Sequence, residues 1–185
     1  MGEPGTKEPL TLEELEASAG VRTGRKHILS ILVENKPGVL TRISGLFARR
    51  GFNIDTLAVG PTDDESLSRI TLTLDGAMHP IDQVTKQLHK LVNVINIRDL
   101  EPADTVAREL ALFKISADGA SRGEVMQVVE IFRGKIIDVT RRSVIVEVTG
   151  TWEKVEAFER MVRPFGLVEM ARTGEIALSR GRGET

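Results

Sequence analysis

The chain has 185 residues, a formal net charge of −2, no cysteine, no tyrosine and one tryptophan. Balanced charge and scarce aromatics speak against a nucleic-acid partner, and the lack of cysteine excludes disulfides, thiolate catalysis and cysteine-ligated metals. The length suits two small domains or one of ordinary size. No apolar run approaches the roughly 20 residues that cross a bilayer, and Met1 to Arg25 has no apolar core of signal-peptide type, so a cytoplasmic protein with no membrane partner is expected.

Residues 1–25 mix Gly, Pro, Glu and Thr without a sustained apolar pattern and read as a disordered extension. Within them Thr11-Leu12-Glu13-Glu14 fits a capping box for a single helical turn. From His27 the pattern sharpens. Ile28, Leu29, Ile31, Leu32 and Val33 form a nearly unbroken apolar run, the signature of a strand buried on both faces, and it stops at Glu34. Pro37 pushes Lys36 out of the α region, and Gly38 lets the backbone approach whatever lies in front of it. A helix follows with Val39, Leu40, Ile43, Leu46 and Phe47 on one face, Arg49 and Arg50 in its last turn and Gly51 as its stop.

Asn53 to Gly60 reads as an imperfectly alternating strand, residues 61–66 as a turn-rich loop, and Leu67 to Leu74 as the strand that completes a hairpin. Pro80 suits a helix start, and Ile81, Val84, Leu88 and Leu91 recur at helical spacing. Val94, Ile95 and Ile97 supply a last strand, closed by Asp99 to Asp104. The order over residues 26–101 is βαββαβ.

The order then repeats over residues 106–180. Glu109 to Ala117 reads as a strand, and Ser121-Arg122-Gly123-Glu124 as a capping box before a helix with Val125, Val128, Val129 and Phe132 on one face, ended by Gly134. Ile136 to Val139 and Val144 to Val148 flank a turn at residues 140–143. Thr151 caps a helix carrying Val155, Phe158, Met161 and Val162, Pro164-Phe165-Gly166 breaks it, and Leu167 to Leu178 returns as one strand. The fold class is α+β, two tandem ferredoxin-like βαββαβ units. Each sheet keeps its helices on one face, so the other face and the sheet edges call for a cover, and a homodimer or higher assembly is expected.

The chemistry gathers at the first strand-to-helix junction. Free N–H groups around Gly38, Val39 and Leu40 present partial positive charge that suits a carboxylate, although a Pro-Gly pair by itself also serves simply to open a helix. His27, His79 and His89 have no metal-ligand spacing, and Asp63-Asp64-Glu65 reads as a solvated hairpin loop, so no metal site is expected. Gly134-Lys135 lacks the upstream glycine and the Ser or Thr of a phosphate loop, and no nucleophile-and-base signature is visible. The weight moves towards a binding or regulatory module with no catalytic residues.

The stretch Glu34-Asn35-Lys36-Pro37-Gly38-Val39-Leu40 resembles the ligand-binding turn of ACT domains, small βαββαβ modules that sense amino acids at a dimer interface. The longer stretches LFARRGFNIDTLAVGPTDD, KQLHKLVNV, EIFRGKIIDVT and EIALSRG resemble the regulatory small subunits of bacterial acetolactate synthase, also called acetohydroxyacid synthase, from about Lys26 to Gly181. The resemblance implies an ACT domain over residues 26–101 and a C-terminal domain over 106–180 that helps in activation or anchoring. It implies a catalytic large subunit as partner, which holds thiamine diphosphate, magnesium and FAD, while this chain holds no cofactor. It implies valine, and sometimes leucine or isoleucine, as effector, bound by Asn35, Lys36, Pro37, Gly38, Val39 and Leu40 with Asn53 and Ile54 contributed across the dimer. Asn35 stands where the common ACT pattern has Asp, so the effector's ammonium would rely on amide and carbonyl oxygens, with Asn35 and Asn53 as candidates. The alternative is a free-standing ACT sensor that controls another enzyme or a transcription factor; a neighbouring gene for a large thiamine-diphosphate enzyme would favour the first reading.

Overall fold

A four-stranded and a five-stranded antiparallel sheet, which share one four-strand order, carry the chain. In a computed structural model, which describes residues 26–75, 80–181 and 185, the order is β1 (Lys26–Glu34), α1 (Val39–Arg50), β2 (Thr56–Pro61), β3 (Leu67–Asp75), α2 (Ile81–Leu88) and β4 (Val94–Leu100). A 3-10 turn at Pro102–Asp104 leads to β5 (Thr105–Ser116), α3 (Arg122–Ile131), β6 (Lys135–Val139), β7 (Ser143–Gly150), α4 (Trp152–Gly166), β8 (Leu167–Arg172) and β9 (Ile176–Ser179). The sheets run β2-β3-β1-β4 and β6-β7-β5-β8, so the expected pair of βαββαβ units is present. The extension expected over residues 1–25, with its turn at Thr11 to Glu14, lies outside the described residues.

Alternation along β1 and β3 explains the first core. Leu29, Ile31 and Val33 face the helices with Ile70, Leu72 and Leu74, and there they meet Val39, Ile43, Leu46 and Phe47 of α1 and Val84 and Leu88 of α2. Register pairs Leu29 with Leu72 and Ile31 with Ile70, which keeps these apolar pairs on the helix side, while Ile28 falls on the other face. The second core repeats this with Ala111, Phe113 and Ile115 of β5, Val144, Val146 and Val148 of β7, and Val155, Phe158 and Val162 of α4. Phe158 sits edge-on to both Phe113 and Phe132, with centroids 4.9 and 5.5 Å away. The repeat extends to irregularities: a bulge falls between Leu32 and Val33 and again between Lys114 and Ile115, and positive φ follows the first helix of each unit, at Gly51 and Arg133.

Several local expectations are corrected. Leu40 is 41 % exposed and lies off the buried stripe of α1, because residues 39, 43, 46 and 47 already complete a helical face. Met161 is likewise half exposed. Ser121 makes no capping bond to the helix backbone; its hydroxyl donates instead to Asp118 Oδ1 at 3.1 Å, and that carboxylate takes the N–H groups of Ala120 and Ser121. Pro164 does not break α4, which runs through to Gly166. Its ring fixes a helical φ, the N–H it lacks is only one bond near the helix end, and the turn-off comes at Gly166 with φ +99°.

The segment read as one closing strand is two. β8 pairs with the inner part of β5, while β9 pairs with its outer part, Thr105 to Arg108. Between them Gly174 takes φ +76° and lies so close to Thr56 that a Cβ would sit 3.0 Å from the Thr56 Cβ. The β5–β9 ribbon covers part of the open face of the first sheet, where Ile28, Leu100, Ala177 and Ala107 form a small third cluster. Under it lie buried Ser30, Thr71 and Thr73, and Arg69 donates to the Ser30 hydroxyl at 2.8 Å and to the Thr185 carbonyl at 2.6 Å. Among the described residues no helix is long and apolar enough to cross a membrane.

Candidate effector site

The turn between β1 and α1 is built by backbone geometry. Gly38 occupies the N-cap with φ +84° and ψ −5°, a left-handed conformation that disfavours a side chain, and no side chain caps the helix. No acidic residue lies in the first turn of α1. The leading N–H groups of an α-helix have no partner within it, so this end carries partial positive charge that its own side chains leave unneutralised. A Cβ placed on Gly38 would meet no described atom within 4 Å. The space in front of the turn is open to a small anion.

Hydrogen bonds fix the turn's flanks. The Asn35 N–H donates to the Ser66 carbonyl at 2.7 Å, and its Nδ2 donates to the Glu65 carbonyl at 2.9 Å. These bonds hold the turn against the β2–β3 hairpin. With its amide nitrogen engaged, the Asn35 side chain has an oxygen to offer a cation. Glu34 accepts from Asn93 Nδ2 at 2.5 Å and from Lys36 Nζ at 3.1 Å. The Asn93 bond first, and the Lys36 bond after it, hold the Glu34 carboxyl below the usual carboxylate range. Arg42 donates to Asn93 Oδ1 at 2.6 Å, and the Glu34 N–H donates to the Asn93 carbonyl at 3.0 Å.

The sequence-derived residues fall into two groups. Asn35, Lys36, Pro37, Gly38 and Leu40 are exposed together around the turn, while Val39 is buried beneath it. Leu40, free of the core, offers an apolar side chain beside the helix N-terminus; of the N–H groups expected to be free there, that of Val39 donates to the Lys36 carbonyl at 3.4 Å. Asn53 and Ile54 lie beyond the other end of α1, whose 12 residues span about 18 Å at 1.5 Å per residue. Within one chain they do not reach the turn. Asn53 is exposed and its Nδ2 donates to Asp55 Oδ1 at 3.3 Å, so its amide oxygen is the group it has to offer a cation, and Ile54 packs against the first core. Residues 53–55 lead into β2, an edge strand of the sheet.

Sequence reading missed Glu34, Arg42 and Asn93 as a set. Asn93 lies 59 residues from Glu34 in the turn between α2 and β4, and no local spacing marks it. Among the described residues no three His, Asp or Glu side chains come together to hold a metal ion.

Comparison with known proteins accounts for both units. The family model described as an AHAS small subunit-like ACT domain matches residues 29–96, and the model described as the small subunit of acetolactate synthase matches residues 108–181. The acetolactate synthase small subunit of Mycolicibacterium smegmatis is 50 % identical over 155 residues, covering 84 % of this chain and 91 % of that one. A probable acetolactate synthase small subunit from Methanothermobacter thermautotrophicus is 51 % identical over 156 residues, covering 84 % and 93 %. The crystal structure of the acetolactate synthase small subunit from Thermotoga maritima superposes with a TM-score of 0.78 at 44 % identity, covering 86 % of this chain and 99 % of that one. With both units matched and the relatives covered nearly end to end, the chain belongs to the acetolactate synthase small-subunit family, and its first unit is that family's ACT domain.

Proposed function

We propose that this chain is a non-catalytic regulatory subunit in the cytoplasm: it binds the catalytic subunit of acetolactate synthase, raises its activity and makes it sensitive to valine, with leucine and isoleucine as weaker or alternative effectors. The observation that carries the reading is the uncapped, glycine-opened N-terminus of α1, set in a chain of this family. The free N–H groups take the effector's carboxylate, the amide oxygens of Asn35 and Asn53 take its ammonium, and Leu40 faces its branched side chain. An apolar wall separates side chains differing by one methylene by only about 1–3 kcal/mol, so selectivity among the three effectors is modest. Thiamine diphosphate, magnesium and FAD belong in this reading to the catalytic partner.

Because Asn53 and the Gly38 turn are far apart in one chain, the complete site requires a second copy. Two features support such an assembly. β2 is an open sheet edge. Beside it, a groove of about 600 Å³ runs between β2 and the β5–β9 ribbon, lined by Val59, Val106, Ile176 and Leu178, all of them exposed in the single chain. Binding alone does not inhibit: the effector must favour one arrangement of the complex over another, with couplings typically about 1–3 kcal/mol.

Reconstitution tests the reading. Adding the purified chain to the catalytic subunit should raise acetolactate formation, and L-valine should then lower it. Gly38→Asp should keep the rise and lose the response, with the inhibitory concentration moving up by about tenfold or more, because a carboxylate enters the anion site. A folded chain that neither activates nor confers valine sensitivity contradicts the proposal.

A further inference from the structure

The two units provide an internal comparison at the sensing turn. The N–H of Asn35 bonds to the Ser66 carbonyl just before β3, and the N–H of Ala117 bonds to the Arg142 carbonyl just before β7, at 2.7 and 2.8 Å. The bulges precede the two turns equally, and Ile43 and Phe47 fill the first core as Val125 and Val129 fill the second. Matched in this way, Glu34 corresponds to Ser116, Arg42 to Glu124 and Asn93, which precedes β4, to Gly166, which precedes β8.

The side chains at those positions differ in kind. In the second unit Gly166 lies against Ser116, where an added Cβ would stand 3.2 Å from the Ser116 hydroxyl oxygen. No polar chain crosses that gap, and the helix end is neutralised from within by Asp118. In the first unit the helix end is left open, and the same gap holds the Asn93 amide, bonded on one side to Glu34 and on the other to Arg42. A βαββαβ unit therefore folds without this cluster. It occurs where no side chain caps the helix.

We propose that Asn93 is a positioning residue for the effector turn: its side chain clasps Glu34, before the turn, to Arg42, one helical turn after Gly38. Its backbone carbonyl adds a second tie to Glu34, and its neighbour Val94 opens β4, so the turn is fixed to the strand that leads towards the second unit. The clasp does not touch the effector. It keeps the free N–H groups converging on one point before a ligand arrives, which lowers the ordering cost of binding. The role as a ligand site rests on the valine reading above; the clasp itself does not.

Hydrogen exchange on the full chain separates the two. Asn93→Ala should speed exchange of the hydrogen-bonded amides of Asn35 and Arg42 by about tenfold, while those of Ala117 and Arg122 stay unchanged. Titrated with L-valine, Asn93→Ala and Glu34→Ala should each weaken binding by about tenfold, the double variant should be no worse than either single one, and Glu34→Gln, which still accepts from Asn93, should stay within about twofold of the parent. Unchanged exchange at Asn35 and Arg42, or strictly additive losses in the double variant, overturns the clasp. Faster exchange in Asn93→Ala combined with no valine binding by the parent chain upholds the clasp and rejects valine as the ligand.

Discussion

Gly38 and Asp118 show how one residue decides whether a helix end is open or closed. At Gly38 the backbone turns left-handed with no side chain to fill the space; at Asp118 the carboxylate accepts from two N–H groups and the Ser121 hydroxyl. The backbone bond from Ser121 first, then that hydroxyl, hold the Asp118 carboxyl below the usual range. A depressed folded-state value means that the stabilisation is present in full above the unfolded-state value and is lost as pH falls through the folded one. Asp118→Ala should lower the melting temperature at neutral pH, and the gap to the parent should close on acidification through the carboxylate range; a gap independent of pH contradicts this assignment. The open turn was legible because Pro37-Gly38 is a local signal, whereas Asp118 was hidden by the capping box that Ser121 and Glu124 imitate. A pattern of residue types says which side chain can cap, not which one reaches first.

At the scale of elements, the second unit depends on one ion cluster. Glu109 on β5 has a fully buried side chain and pairs with Arg172 on β8, which also meets Glu156 of α4 at 2.5 Å. Burial opposes the charge on Arg172, but the hydrogen bonds to Glu109 and Glu156 outweigh it and raise its pKa. Arg172→Ala leaves a buried carboxylate unpaired and should cost about 3–5 kcal/mol, seen as a lower urea midpoint in the fluorescence of Trp152, the chain's single tryptophan. Replacing Glu109 and Arg172 together by Leu and Met should recover most of the loss; no destabilisation in Arg172→Ala would contradict a paired cluster. Strand and helix periods made the two βαββαβ units legible, since nearly every core position follows from alternation in β1, β3, β5 and β7 or from helical spacing in α1 to α4. The split of the last strand was not, because β8 and β9 have similar composition and their separation depends on Gly174 packing against Thr56 of the other unit, a contact no local window contains.

At the scale of the whole molecule, the proposed function makes the candidate site half a site. One chain places Gly38 and Asn53 at opposite ends of α1 and leaves the β2 edge and an apolar groove exposed beside them. In this account a second copy covers those surfaces and carries its Asn53 to the first copy's turn, so effector binding, dimerisation and regulation share one structural cause. The most direct test is calorimetric titration of L-valine, with D-valine as control, into four samples: the parent chain, Gly38→Asp, Asn53→Ala, and the two variants co-expressed and purified as a mixed dimer. The account predicts saturable, stereospecific heat from the parent, none from either variant alone, and its return in the mixed dimer at half the parent's site number, because one of its two sites combines an intact Gly38 turn with an intact Asn53. A parent chain that binds valine alongside a mixed dimer that stays silent would contradict a site shared between two copies.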